Sequence, residues 1–290
     1  DFTDPYFTAD GVSINYAFDY TKTNYRRERL SDWAADTMDA TVTFGYPLTE
    51  YQNVYFGGGY RNLKINTGKD AASEITDYLN QNGRRYNEGV VTLSWSKDTQ
   101  DNTYLPTSGS LNRISGEVTL PGSSDTYYKL GYRNRTYFPL NSDKTLLLGL
   151  RGDISYGGGY GKTEDLPFYR HYYAGGLNTL RGFEYGSLGP RYQNGDNSGG
   201  DFRTTGGLEL MMPWKSDEKS NNVRVGTFLD FGNVYSKVGD FDAGEFRYST
   251  GLFLQWMSPI GPLNLSYAVP LNKKKGDSTE AFQFSFGMGF

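Results

Sequence analysis

The chain has 290 residues, 33 acidic against 29 basic, and a formal net charge of −4, so it lacks the basic footprint of a nucleic-acid binder. It has no cysteine, which removes disulfide scaffolds and cysteine-based metal or nucleophile chemistry. Its mean hydropathy is negative and no apolar run approaches the ~18 residues of a spanning helix, which excludes a helical membrane protein. The excess of tyrosine (25), glycine (37) and aromatic residues overall (16%) suits a sheet-rich protein with aromatics at its borders. No signal peptide opens the chain, so a mature form or an excised piece is expected.

The first element is the run in which Val12, Ile14, Tyr16, Phe18 and Tyr20 alternate with Ser13, Asn15, Ala17 and Asp19. Such a period of two marks a strand with one apolar and one polar face. The alternation returns at 40–46, 54–60, 91–95, 114–120, 128–138 and 146–156. After a long interruption it resumes at 208–212, 223–231, 252–256, 263–269 and 282–290, which makes twelve strands.

A soluble barrel or sandwich and a membrane barrel share this pattern and differ in which face meets the solvent. Putting the apolar face outward leaves Arg113, Arg133, Arg135, Arg151, Arg224, Glu117, Glu209 and Asp230 inside. Three features favour that inverted assignment. The strands are about as long as the ~9–11 residues that cross a bilayer at a tilt. Glycines recur on the polar face, as a crowded lumen requires, and aromatics gather toward strand ends. An arginine turned to the bilayer midplane costs roughly 2–4 kcal/mol, so these charges fix the register. The expected fold is an all-β, antiparallel up-and-down transmembrane barrel, a single domain over 1–290.

The connections support it. Short turns begin near proline at Pro47, Pro139 and Ser258-Pro-Ile-Gly-Pro262, and Pro106 and Pro213 fall in connections of the same parity. The opposite parity holds 21–36, 66–86, 158–200, 236–243 and 271–279, mostly longer and more polar, with Pro121-Gly-Ser-Ser124 the short exception. Short periplasmic turns and long external loops are the asymmetry of outer-membrane barrels, which puts the C-terminus in the periplasm. Residues 71–80 are expected to form a helical turn or two. Lys273-Lys-Lys275 is read as a solvated loop tip rather than a lipopolysaccharide patch. Asn194 to Asp201 lacks the terminal glutamate of a calcium loop.

The longest interruption, about 158–200, contains Arg181-Gly182-Phe183 among glycines at 175, 176, 182, 186 and 189. A charge beside a large ring gains little at an exposed tip. Folded back into a polar cavity, the guanidinium can meet carboxylates and the ring can wedge. Glu209 and Asp230 lie on the inward parity of the strands that follow; parity alone equally allows them to solvate a wet lumen or pair with Arg203 or Arg224.

Leu166-Pro-Phe-Tyr169, Tyr173-Ala-Gly-Gly176, Leu180-Arg-Gly-Phe183 and Gln255-Trp-Met-Ser-Pro-Ile-Gly-Pro262 resemble the BamA family of outer-membrane assembly barrels. The family's loop motif usually begins with valine, and Leu180 is a conservative departure. The resemblance implies that Glu209 and Asp230 receive Arg181, and that Phe282, Phe284, Phe286, Gly287, Met288, Gly289 and Phe290 form the terminal strand signal and a lateral seam. It further implies a non-enzymatic factor of the Gram-negative outer membrane that inserts nascent β-barrel proteins, meets lipid and lipopolysaccharide, binds assembly lipoproteins, and needs no nucleotide, metal or other cofactor. The chain corresponds to the last twelve strands of a sixteen-stranded family barrel without its POTRA domains. If Gly11 to Tyr20 pairs with Ala281 to Phe290, a smaller barrel closes, since an open edge in lipid leaves backbone groups unsatisfied. A TamA-like factor or a two-partner secretion translocator shares the loop motif, and a passive porin shares the polar lumen. An enzyme is disfavoured: the single histidine, His171, has no serine or acid arranged with it as a triad would need.

Overall fold

The computed structural model describes residues 1–26, 30–214 and 222–287. Its strands are β1 (Phe2–Asp4), β2 (Ser13–Asn24), β3 (Trp33–Thr49), β4 (Gln52–Thr67), β5 (Arg85–Asp98), β6 (Gly109–Thr119), β7 (Tyr127–Pro139) and β8 (Leu147–Gly159), followed by the short β9 (Gly182–Phe183). Then come β10 (Phe202–Pro213), β11 (Val223–Tyr235), β12 (Arg247–Ser258), β13 (Gly261–Pro270), the short β14 (Thr279–Glu280) and β15 (Phe282–Phe286). The predicted alternating segments become strands, the last of them over 282–286 within the described residues, and each pairs antiparallel with its neighbour in one 13-stranded sheet that β1 opens and β15 ends. The pair β9 and β14 forms a separate two-stranded ladder. Helix α1 (Ser73–Asn82) stands where a helical turn was expected, with Ile75 and Leu79 buried.

The apolar parity faces away from the protein. Leu93, Leu130, Leu252 and Phe284 are 56%, 52%, 66% and 68% exposed, and similar side chains line every long strand but β11 in the same way. Ile154 on β8 is exposed as well, whereas Ile14 at the start of β2 is buried. Opposite parities carry ion pairs such as Arg61–Asp39 at 2.7 Å and Arg203–Asp153 at 2.7 Å. This is the reverse of a water-soluble sheet, where the apolar face would be covered.

The loop between β8 and β10 runs through the inner side. Its residues contact Leu30 before β3, Glu74 of α1, Glu88 of β5, Lys129 of β7 and Asp230 of β11, so the sheet must curve around it. An apolar cluster of Trp33, Ile65, Ile75, Tyr86 and Phe168 packs the first half of the sheet, α1 and the loop base together. A second cluster, Leu147, Met211, Phe228, Phe253 and Ala268, sits in the second half. The lumen is therefore less uniformly polar than the alternation implies.

The expected closure of Gly11–Tyr20 on Ala281–Phe290 is not made among the described residues. β1 takes the relevant edge of β2, with Phe2 opposite Tyr16 and Asp4 opposite Ile14, while β15 pairs with β13 alone. The β2 backbone groups that β1 engages are those of Ile14 to Tyr16, at the start of the strand.

Candidate functional site

Local chemistry brings the loop into the lumen before its tip is reached. The turn Phe168–Arg170 sets Phe168 edge-on to Trp33 and places the Tyr169 hydroxyl 2.7 Å from Asp125 and 3.1 Å from Glu88. Arg170 pairs with Glu117 at 2.5 Å, and Lys129 donates to the Arg170 carbonyl at 3.0 Å. Further along, Ala174, Leu180, Phe183 and Leu188 pack on one another and on Val234 of β11. Phe183 is fully buried, so the ring is the wedge that the motif suggested.

Arg181 sits at the centre. Its Nε and Nη2 donate to the two carboxylate oxygens of Asp230, both at 2.7 Å, and Nη2 lies 2.7 Å from Glu209 Oε1. The Arg181 main-chain N–H adds a bond of 3.2 Å to Asp230. Arg151 of β8 reaches the same Asp230 at 2.6 Å, so two guanidinium groups meet two carboxylates. Each charge is matched within the group, the condition on which buried ion pairs are tolerated. Gly207 makes the approach possible: a Cβ there would stand 2.6 Å from Arg151 Nε and 2.7 Å from Asp230 Oδ1. The Arg181 guanidinium also lies 3.6 Å from the centre of the Phe228 ring and 5.4 Å from that of Phe253, a cation–π arrangement out of water.

Arg181, Gly182, Phe183, Glu209 and Asp230 thus come together in one place. The rival partners do not: Arg203 pairs with Asp153, and Arg224 donates to the Leu105 carbonyl at 3.0 Å. Phe282, Phe284 and Phe286 point outward and are exposed, with Gly287 just beyond at φ +91°. Met288, Gly289 and Phe290 lie outside the described residues.

Sequence reasoning missed Phe228 and Phe253 beneath Arg181, and Gln283 beside it. All three share the inward parity of their strands, and that parity was the available signal. His171 Nδ1 is 2.8 Å from the Ser198 carbonyl, and Nε2 is 3.0 Å from that of Leu166 and 3.4 Å from Asp201 Oδ1. Among the described residues no group of three or more His, Cys, Asp or Glu side chains is placed to hold a metal ion. A cavity of about 590 Å3 remains beside the loop, bordered by Arg113, Lys129, Arg133, Asp153, Tyr172 and Arg203.

Comparison with known proteins places this geometry. The family model described as the Omp85 superfamily domain matches residues 1–290. The chain belongs to the Omp85 superfamily. A crystal structure of BamA from Haemophilus ducreyi lacking POTRA domains 1–3 superposes with a TM-score of 0.89 at 34% identity, over 97% of this chain and 60% of that one. The outer membrane protein assembly factor BamA of Neisseria meningitidis serogroup B is 34% identical over an alignment covering all of this chain and 41% of its own length. BamA of Nitratidesulfovibrio vulgaris is 28% identical over 91% of this chain and 33% of its own. The chain therefore spans less than half the length of these curated relatives. It is an Omp85 transmembrane β-barrel domain of the Gram-negative outer membrane, and the exposed apolar parity is its lipid face.

Proposed function

We propose that this barrel assembles and inserts other β-barrel proteins into the outer membrane, without catalysing a covalent reaction, through a seam at its last strand. The observation that carries the reading is the edge of β15. That strand ends the described sheet, pairs with β13 from Phe282 to Phe286 and turns its phenylalanines to the lipid face. A strand at the end of a sheet is a template for an incoming strand. Outward phenylalanines at 282, 284 and 286 would keep such a strand at the lipid boundary.

The clients are nascent barrel strands, by analogy with relatives named as assembly factors. Assembly lipoproteins are expected at the end bearing the short turns, and lipid and lipopolysaccharide against the exposed face. The Arg181–Asp230 contact holds the loop in the lumen, where it narrows the path open to solutes.

The test is photo-crosslinking in native outer membranes, with a photo-reactive residue in place of Ser285 in the complete parent protein while a barrel client is synthesised. Client adducts that accumulate when client folding is stalled support the reading. Absence of adducts at Ser285 and neighbouring edge positions, together with free solute conduction by the purified protein, sinks it in favour of a channel.

A further inference from the structure

The residue after Arg181 is held by a different strand. Gln283, the second residue of β15, is 5% exposed, although Phe282 and Phe284 on either side of it are open to lipid. Its Oε1 accepts from the Gly182 N–H at 3.2 Å and its Nε2 donates to the Phe183 carbonyl at 2.8 Å. The second Nε2 hydrogen is directed at Glu280 Oε2, 3.3 Å away. One donor and one acceptor on the loop main chain fix which way the amide points, and both of its donor hydrogens are used.

The neighbouring backbone repeats the connection. Glu280 lies opposite Gly182 and Thr279 opposite Phe183 in the β9–β14 ladder, and Glu184 N–H donates to the Ser278 carbonyl at 3.0 Å. Ser278 to Gln283 and Gly182 to Glu184 are therefore sewn together by main chain and one amide. Gly182 also passes directly over β13, where a Cβ would stand 3.0 Å from that of Ala268. Three consecutive loop residues thus span the inner wall: Arg181 on β11 and β10, and Gly182 with Phe183 on β14 and β15. The strand they reach is short, Phe282 to Phe286 paired with β13.

From these contacts we infer that Gln283 is a positioning residue that couples the terminal strand to the lumen loop. β15 leaves β13 only as the Arg181-Gly182-Phe183 segment is released from it, and a loop freed at Asp230 loosens β15 in turn. This deepens the seam reading above, and its test is separate from client capture: the coupling can fail while clients still crosslink at Ser285.

Hydrogen exchange on the complete parent protein in lipid nanodiscs reads both ends of the connection. Gln283→Leu keeps the size and removes both bonds. It should raise exchange in 282–286 and in 175–189 together, on the order of tenfold for two lost hydrogen bonds. Asp230→Asn, on a strand that does not touch β15, should raise exchange in 282–286 as well. Combining the two should add less than the sum of their separate effects. Gln283→Asn, with both groups on a shorter stem, gives a second, milder variant if Gln283→Leu does not fold. Exchange that rises in β15 alone or in the loop alone overturns the coupling, as does no change in either, or an Asp230→Asn loop freed beside an unaltered β15.

Discussion

A guanidinium removed from water persists only with its charge matched, and Arg181 shows how narrow the match is. Asp230 serves Arg181 and Arg151 at once. Asp230→Asn retains the shape but leaves two guanidinium groups to Glu209. The expected cost is about 3–5 kcal/mol, as for other broken buried pairs, seen as a lower unfolding temperature of the folded band in heat-modifiability gels. Little or no shift would mean that water reaches the site and screens it. Burial pushes the His171 imidazole down, so its 3.4 Å approach to Asp201 is a contact of a neutral ring with a carboxyl rather than an ion pair. Asp201, just outside β10, is pushed up to about 7 by burial and then by the charge of Asp165, with Lys237 acting in the opposite sense. An unfolded aspartate titrates near ~3.9. The native state therefore holds more protons between that value and 7, and stability present below about pH 4 is lost as pH rises through 7. Asp201→Asn keeps the neutral form at every pH. It should stabilise the loop at pH 8 by on the order of 1–3 kcal/mol, since each tenfold change in an acid constant is worth about 1.4 kcal/mol, and do little near pH 4. Loop hydrogen exchange at the two pH values decides it; equal effects at both would rule out titration of Asp201.

At the scale of elements, the strands were legible because a period of two is a local property of the chain. So was α1, an amphipathic turn displaced by only two residues from the expected 71–80. The loop was legible as an interruption and a motif, but its destinations were not. Its contacts with β5, β11 and β15 involve residues up to about a hundred positions apart, and no local pattern encodes such a pairing. Gly182 condenses that dependence into one residue: φ is +87° and the space above Ala268 is filled. Gly182→Ala should cost roughly 1–3 kcal/mol of backbone strain and lower loop protection in hydrogen exchange while leaving the strand content of the circular dichroism spectrum unchanged. A variant with native loop protection would show that the wall yields to a methyl group.

Over the whole molecule, the two faces of one strand make opposite predictions. Leu252 on β12 is 66% exposed, toward lipid, whereas Gln255 lines the lumen beside Asn264. Leu252→Arg should cost about 2–4 kcal/mol in a bilayer and reduce the yield of folded protein in vesicle refolding. Gln255→Arg should be tolerated, and equal losses would contradict the assigned orientation. The sequence by itself determined the strands, their inward and outward parity, the two kinds of connection and the charged residues of the lumen. Each follows from alternation and from the cost of placing charge in hydrocarbon. Only the tertiary structure decided that β1 pairs with Ile14 to Tyr16 of β2, that Arg181 comes to lie over the inward Phe228 and Phe253, and that Gln283 grips the loop. Those arrangements depend on which distant backbone groups and charges arrive at one point, and their stability exists only once the sheet has curved around the loop.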